Sequence, residues 1–173
     1  EAHEDRDTAY GRSKRLAGEL LRNWADSSGG ACTVLVLPHV FGEGGRPFHN
    51  SVVSTFCHQL ANGSELTVNV DGRLELLHAQ DAAQVAFAVL RDRTTGTCRV
   101  EGEPLGVMEL QKRLQRIAEN YENVVVPSLE QRLDLRLFNT YRSYLFPTRY
   151  PIRFKQHVDA RGKLHECVRT LHG

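Results

Sequence analysis

The chain has 173 residues, of which 40% are hydrophobic and 25% charged, and its net charge is +1 at pH 7. This composition is typical of a soluble globular protein, and the balanced charge argues against partners such as nucleic acid or a membrane surface. The longest apolar run, residues 32–38, is too short to span a bilayer, and no signal-peptide pattern begins the chain. We therefore expect a cytoplasmic protein. Because helical character begins almost at once and no Met starts the sequence, we expect a segment of a longer chain.

The first predicted elements are a helix and a buried strand. Asp7 or Thr8 can cap a helix over residues 8–25. Its apolar stripe consists of Leu16, Leu20, Leu21 and Trp24. Residues 32–37 are continuous, apolar and β-branched, which is typical of a strand buried on both faces of a parallel sheet. Helix followed by buried strand is half of a βαβ repeat, so the pattern predicts an α/β fold.

A glycine-rich loop, residues 38–50, follows this strand. It leaves the carboxyl end of the strand, where the ligand sites of open α/β sheets lie, although the same composition also suits a mobile surface loop. Asn50 or Ser51 then caps a helix that ends near Asn62. Beyond it, alternating residues predict a hairpin of strands 65–70 and 74–78.

Helices dominate the next part of the sequence. The predicted elements, in order, are helix 81–91 capped by Asp81, strand 98–100, amphipathic helix 107–121, and helix 128–145 with a capping box of Ser128 and Gln131. Two prolines, Pro147 and Pro151, then break the pattern. Strands 152–157 and 164–170 follow, and since a lone hairpin is marginal, we expect the start of a truncated β domain. The predicted domains are residues 1–147 and 148–173.

The cysteines and histidines do not indicate a metal site. Cys32, Cys57, Cys98 and Cys167 are widely spaced, as expected for reduced thiols rather than a disulfide or metal framework. Histidines at positions 39, 49 and 58 lack zinc-ligand spacing, although His39 and His49 flank the loop and can contact a ligand there. No Gly-x-Gly-x-x-Gly dinucleotide-binding turn is present.

The strongest chemical candidate is the pair Tyr10 and Lys14. Residues four apart on a helix are neighbours on one face, and an adjacent positive charge favours a phenolate. The pair therefore suits general acid–base catalysis of a carbonyl–alcohol interconversion. The pattern alone is weak, because a Tyr and a Lys at this spacing are common on solvated helices.

The order of elements around this pair resembles the carboxyl-terminal part of the extended short-chain dehydrogenases/reductases that form the sugar-nucleotide epimerase/dehydratase group. Tyr-x-x-x-Lys on a helix is followed by a buried strand, a Pro-x-Val-Phe-Gly loop and a capped helix. Residues 46–58, RPFHNSVVSTFCH, and 137–145, LFNTYRSYL, are similar to the CapF-type capsular polysaccharide reductases. Residues 157–166, HVDARGKLHE, resemble the first strands of that family's cupin domain.

The resemblance implies a Rossmann-type reductase with a substrate-binding subdomain, followed by a β (cupin) domain that holds a metal. It implies reduction of a UDP-4-keto-6-deoxy-amino sugar at C4 with NADPH, on the route to UDP-N-acetyl-L-fucosamine. Tyr10 would donate a proton, and Lys14 would stabilise its phenolate and hold the nicotinamide ribose. By resemblance, the remaining site residues would be Pro38, His39 and Val40 at the cofactor; His39, Arg46, Asn50 and Ser51 at the sugar nucleotide; and Arg73, more weakly, at a phosphate. A homodimer or higher self-association is also expected, because a cut sheet exposes edges.

Three positions depart from the family pattern. His39 stands where Asn is usual, Val36 where Arg is common, and residues 78–81, HAQD, where Tyr-x-Asp-Asp is usual. The family's glycine turn and cupin metal ligands are not in this sequence, so we expect poor NADP(H) binding and no turnover by this segment alone. Two alternatives remain open: another NAD(P)-dependent nucleotide-sugar epimerase or dehydratase, and a non-catalytic module that binds nucleotide sugars.

Overall fold

A computed structural model describes residues 7–68, 72–149, 154–166 and 169–170. The elements, in chain order, are α1 (Ala9–Ser28), β1 (Thr33–Val36), β2 (His39–Phe41), α2 (Val52–Ala61), β3 (Arg73–His78), α3 (Ala79–Arg91), β4 (Gly96–Arg99), β5 (Glu103–Gly106), α4 (Val107–Glu122), α5 (Arg132–Leu145), β6 (Gln156–Asp159) and β7 (Gly162–His165). The chain forms two compact units: unit 1 is Glu1–Val40 with Leu74–Pro104, and unit 2 is Phe41–Arg73 with Leu105–Gly173. None of the helices within the described ranges is long and apolar enough to cross a membrane.

Unit 1 contains the parallel strand pair that an α/β fold requires. β1 and β4 pair in parallel, with Val34 opposite Thr97 and Val36 opposite Arg99. β1 is less buried than the sequence predicts, since of its four residues only Val36 is fully buried. The predicted α/β class and the parallel pairing are nevertheless confirmed.

The face that α1 buries differs from the predicted one. Its buried residues are Gly11, Gly18 and Ala25, and a Cβ placed on Gly18 would lie 3.5 Å from Val34. The predicted apolar stripe is exposed instead, with Trp24 61% exposed. Small residues seven apart lie on one side of a helix and allow it to approach β1 closely, and this packing overrides the larger stripe. The N-cap is Thr8, whose side chain accepts the Gly11 amide.

α3 also begins and packs differently from the prediction. His78, rather than Asp81, is the N-cap, and its ring accepts a hydrogen bond from the Gln80 amide at 3.3 Å. Asp81 lies in the first turn of α3, where the positive end of the helix dipole stabilises its carboxylate. No α3 residue is fully buried, and Phe87 and Leu90 are both 73% exposed.

The predicted hairpin of strands 65–70 and 74–78 is wrong for the part that the structure describes. Residues 65–68 form no strand, and residues 69–71 lie outside the described ranges. β3 instead occupies the centre of a three-stranded sheet of order β2-β3-β5. The alternation of apolar and polar residues in this region predicted the first strand, which does not form in the described residues. Of the two predicted strands only the second is present in the described ranges, as β3, and its partners come from distant parts of the sequence.

Unit 2 has a helical core made by α2, α4 and α5. Apolar side chains at helical spacing face this core, as expected for amphipathic helices. The buried residues include Val53, Phe56, Leu110, Leu114, Ile117, Leu133, Leu137, Phe138, Tyr141 and Leu145. α5 begins four residues later than predicted, at Arg132. Gln131 is its N-cap and makes no side-chain capping bond, so the predicted capping box of Ser128 and Gln131 does not form.

The tail of the chain forms an exposed antiparallel hairpin. β6 and β7 pair with Gln156 opposite His165, so the predicted pairing is confirmed while both strands are shifted along the sequence. Residues 150–153, which include the predicted strand start, lie outside the described ranges, as does Cys167. The three cysteines within those ranges, Cys32, Cys57 and Cys98, are free thiols.

Candidate functional site

Tyr10 and Lys14 are brought together in the first turns of α1, in unit 1. The Lys14 ammonium lies 5.2 Å from the centroid of the Tyr10 ring, over its face. Tyr10 is 54% exposed, so the surface of unit 1 leaves its ring accessible to a ligand. The four-residue spacing thus produces the predicted contact between ammonium and phenol ring.

The packing of α1 on β1 places this pair at one end of the strand. Gly18 packs beside Val34, and the Arg22 guanidinium donates to Thr97 of β4 at 2.9 Å. Only four residues connect the end of α1 to the start of β1, so the strand runs antiparallel to the helix that packs on it. Residues early in α1 therefore lie beside residues late in β1. With a rise of about 1.5 Å per residue, Lys14 is roughly 6 Å along the helix from Gly18, near the carboxyl end of β1.

Pro38, His39 and Val40 follow β1 directly at that same carboxyl end. His39 and Val40 are exposed, while Pro38 is half-buried. A Cβ added to Gly102 would come within 3.0 Å of Pro38 and within 2.9 Å of the β3 backbone, so only glycine leaves room there. In unit 1, the predicted catalytic pair and the predicted cofactor segment therefore share one edge of the parallel strands, where α/β proteins bind ligands.

The predicted substrate residues Arg46, Asn50 and Ser51 belong to unit 2, where Arg46 lies in the loop before α2 and Asn50 and Ser51 lie at the amino-terminal end of the helix. Arg46 is exposed, and its guanidinium makes no hydrogen bond or ion pair within the described part of the chain. Asn50 is exposed with a positive φ of 55°, a conformation that Asn tolerates better than most residues. Arg73, at the start of β3, is also exposed.

Ser51 is the N-cap of α2, which limits what else its hydroxyl can do. Its side-chain oxygen accepts the Ser54 amide at 3.3 Å. A hydroxyl has one proton and two lone pairs, so Ser51 can still donate its proton to a ligand oxygen. The amino-terminal end of α2 carries partial positive charge and has no acidic residue in its first turn, an arrangement that favours anions.

Residues that the sequence did not single out hold the loop before α2. The Tyr144 hydroxyl, from α5, donates to the backbone oxygen of Gly45. Thr55 accepts the Phe48 amide at 2.9 Å and donates to the Ser51 backbone oxygen at 2.8 Å. No local pattern could reveal the first contact, because Tyr144 is far from Gly45 in the sequence.

Burial affects the titration of two side chains near this loop. Partial burial raises the pKa of the Tyr144 phenol above its ordinary value, and the neighbouring Ser54 hydroxyl partly opposes the rise. Burial likewise raises the pKa of the Cys57 thiol well above its usual range. Both groups are therefore neutral at pH 7, and Cys57 has no thiolate available for nucleophilic chemistry. Within the described ranges, no three His, Cys, Asp or Glu side chains are grouped so that they could hold a metal ion.

Comparison with known proteins assigns this arrangement to a family. The model of the NAD dependent epimerase/dehydratase family matches residues 2–100. UDP-2-acetamido-2,6-beta-L-arabino-hexul-4-ose reductase of Pseudomonas aeruginosa is 27% identical over 168 residues, which cover 95% of this chain and 45% of that protein. The chain therefore spans about half the length of the curated relative it matches.

Solved structures agree with this result. The capsular polysaccharide assembling protein CapF of Staphylococcus aureus superimposes with a TM-score of 0.81 at 27% identity, over 96% of this chain and 47% of CapF. UDP-glucose 4-epimerase of Thermotoga maritima, solved with UDP-glucose, has a TM-score of 0.59 at 19% identity over 78% of this chain and 52% of its own, and shares the fold. The predicted resemblance to CapF-type reductases is thus confirmed. Since the family model matches more than half of the sequence, the chain belongs to the NAD dependent epimerase/dehydratase family.

Proposed function

We propose that this chain forms part of an NADPH-dependent sugar-nucleotide reductase of the CapF type. The substrate would be a UDP-4-keto-6-deoxy-N-acetylhexosamine, reduced at C4 in the biosynthesis of UDP-N-acetyl-L-fucosamine for a capsule or other surface polysaccharide. The observation that carries the proposal is the contact between Tyr10 and Lys14 at the carboxyl edge of the parallel strands. The curated relative, itself named as a reductase of a UDP-linked hexul-4-ose, supports the substrate class.

Tyr10 is the proton donor in this proposal. NADPH, when bound, would supply the hydride for the C4 carbon of the sugar. The Tyr10 hydroxyl gives its proton to the C4 oxygen, so the ketone becomes a secondary alcohol and the phenolate takes its proton back from solvent. The Lys14 ammonium stabilises the phenolate, and it is the residue that would hold the nicotinamide ribose.

The residues of unit 1 are suited to this cofactor. Tyr10 is accessible, and Pro38, His39 and Val40 lie at the same end of β1 as Lys14. Of these, His39 would lie nearest the sugar, as the family pattern implies for its position. Its imidazole can donate or accept a hydrogen bond, so it can replace the amide that the family usually has there.

In unit 2, the proposed substrate contacts are those of a diphosphate site. Arg46 presents a guanidinium that has no partner in the described ranges, and guanidinium groups pair well with phosphate oxygens. Asn50 and Ser51 place an amide and a hydroxyl at the amino-terminal end of α2, where the helix dipole favours negative charge. Arg73 is a further candidate for a phosphate contact.

Two further parts of the proposal concern the rest of the protein. The antiparallel hairpin β6–β7 supports residues 148–173 as the start of a cupin domain. The exposed stripe of α1 supports self-association, as a homodimer or larger, because a large apolar patch on a helix is typical of an interface.

The proposed location of the protein is the cytoplasm.

A non-catalytic role is the second candidate, and the departures at His39 and Val36 favour it. In that case the chain would bind a nucleotide sugar without reducing it. The test supplies the full-length protein with NADPH and a UDP-4-keto-6-deoxy-N-acetylhexosamine. Oxidation of NADPH is measured as the loss of absorbance at the nicotinamide band. We expect turnover by the wild type and none by Tyr10→Phe. Nucleotide-sugar binding without turnover by the wild type would favour the second candidate, and undiminished turnover by Tyr10→Phe would refute the role of Tyr10.

A further inference from the structure

The loop that carries Arg46, residues 42–50, is anchored on both sides of that residue. On one side, the Tyr144 hydroxyl of α5 donates to the Gly45 backbone oxygen. On the other side, the Phe48 amide donates to Thr55 of α2 at 2.9 Å. Arg46 therefore lies between two backbone positions that are fixed by side chains from two different helices.

The conformation of the loop is one that needs such anchors. Phe48 has a φ of 58°, which is costly for a residue with a bulky side chain, and Asn50 has a φ of 55°. Burial of the Phe48 ring does not explain this strain, since the residue is 68% exposed. Strained backbone that persists at an exposed position points to function at that position.

The anchors are themselves held in place. Thr55 donates its hydroxyl proton to the Ser51 backbone oxygen at 2.8 Å, which fixes its rotamer and directs a lone pair to the Phe48 amide. The His58 ring lies edge-on to Phe48, with ring centroids 5.5 Å apart, and edge-on to Tyr144 at 6.3 Å. The loop is thus supported by a connected set of side chains within unit 2.

We propose that Tyr144 and Thr55 are positioning residues that preorganise the loop 42–50 for the diphosphate of the nucleotide sugar. They act through the backbone of Gly45 and Phe48 and do not touch the ligand. Because the loop is already fixed before binding, Arg46 and Asn50 meet the ligand without the entropic cost of ordering the backbone. This inference rests on the proposed function, which assigns the diphosphate to Arg46, Asn50 and Ser51.

α5 offers a matched control for Tyr144. Tyr141 lies three residues earlier on the same helix, and its hydroxyl is buried without a hydrogen-bond partner among the described residues. Tyr144→Phe and Tyr141→Phe remove the same atom from the same helix, but only the first breaks an anchor of the loop. For Thr55, Thr55→Val removes the hydroxyl at nearly constant volume, and Thr55→Ser retains it.

The test is titration calorimetry of UDP binding to the full-length protein, with steady-state kinetics on the nucleotide sugar. We expect Tyr144→Phe and Thr55→Val each to weaken UDP binding roughly 5- to 10-fold, the value of one lost hydrogen bond. KM for the nucleotide sugar should rise by a similar factor while kcat stays within about 2-fold, because the anchors act on binding rather than on proton transfer. Tyr141→Phe and Thr55→Ser should bind UDP as the wild type does.

Hydrogen exchange supplies a readout that needs no ligand. The amides of the loop should exchange faster in Tyr144→Phe than in Tyr141→Phe, with the amides of the α4 core unchanged. Wild-type UDP affinity in both Tyr144→Phe and Thr55→Val would overturn the positioning role and leave the proposed function standing. A wild-type protein that fails to bind UDP would overturn the proposed function, and the positioning role with it.

Discussion

The Lys14 ammonium lies over the face of the Tyr10 ring, 5.2 Å from its centroid. Removal of this charge should lower catalysis more than it lowers stability, because the pair is near the exposed amino-terminal end of α1. We expect Lys14→Met to reduce kcat about 100-fold, the lower end of what a positioned acid–base group contributes. Arg15→Met is the matched control, since it removes the same charge from the next residue and should retain most of the wild-type kcat. Equal losses in the two variants would mean that charge alone, and not the Tyr10 contact, matters.

The sequence predicted this contact because it depends only on helical spacing, which any helix over residues 10–14 would satisfy. It also predicted that residues 38–40 follow a parallel strand, since the apolar run before them is typical of such strands. The Tyr144 contact to Gly45 could not be predicted, because it joins residues 99 apart and depends on the packing of α5. Contacts of the candidate site between residues close in the sequence could thus be predicted. Contacts between residues that only the folded chain brings together could not.

Gly102 packs against the backbone of β3 and next to Pro38. A Cβ at this position would come within 2.8 Å of Glu75 and 2.9 Å of Leu76, both through backbone atoms that cannot rotate away. We expect Gly102→Ala to lower the free energy of unfolding by about 1–3 kcal/mol, as overpacking does. Gly72→Ala is the control, since a Cβ there meets no atom within 4 Å. Urea unfolding of both variants checks the prediction, and equal midpoints would contradict the packing argument.

The same distinction applies to the fold: helix faces set by nearby residues could be predicted, whereas packing between distant elements could not. The buried faces of α2, α4 and α5 follow from apolar residues at helical spacing, as Leu110, Leu114 and Ile117 illustrate in α4. The stripe on α1 failed as a core prediction, because Gly18 allows a closer approach to Val34 than a leucine would, and periodicity does not weigh small residues. The predicted hairpin of residues 65–78 failed because its alternating segment forms no strand at residues 65–68, and β3 pairs instead with β2 and β5, which are distant in the sequence.

Gly45 should tolerate a methyl group only if Ser54 loses its hydroxyl. A Cβ on Gly45 would overlap the buried Ser54 hydroxyl oxygen, while the next atoms are at 3.4 Å, an ordinary contact distance. We expect Gly45→Ala to weaken UDP binding and to lower the unfolding free energy by about 1–2 kcal/mol. The double variant Gly45→Ala, Ser54→Ala should regain most of both. Additive losses in the double variant, measured as a thermodynamic cycle, would show that the two positions do not interact.

The turn between β6 and β7 should depend on the ionised form of Asp159. Its carboxylate pairs with the Arg161 guanidinium at 2.7 Å and accepts the backbone amides of Arg161 and Gly162 at 2.8 and 3.2 Å. These bonds, the Arg161 side chain first, hold the pKa of Asp159 below its ordinary value. A lowered folded-state pKa means that the stabilisation is present above the ordinary pKa and is lost as the pH falls through the lowered one.

Carbon-13 NMR of the Asp159 carboxyl group tests this dependence. In the wild type, the midpoint should lie below that of an unperturbed aspartate, and the Gly162 amide should shift with the same midpoint. Arg161→Met removes the largest cause and should move the midpoint upward. A midpoint in the wild type that Arg161→Met leaves in place would assign the shift to the backbone amides alone.

Tyr141 should make the protein sensitive to alkali. The side chain is fully buried, and burial, with a smaller contribution from Glu122, raises the pKa of Tyr141 to about 12. Since the unfolded phenol loses its proton near pH 10, the unfolded state is favoured increasingly between pH 10 and about pH 12. The loss attributable to this one group should reach about 2–3 kcal/mol at the upper end of that range. Tyr141→Phe has no proton to lose, so its free energy of unfolding should fall less steeply above pH 10 than that of the wild type. Parallel curves for the two proteins, measured by urea unfolding from pH 8 to pH 12, would show that Tyr141 titrates alike in both states.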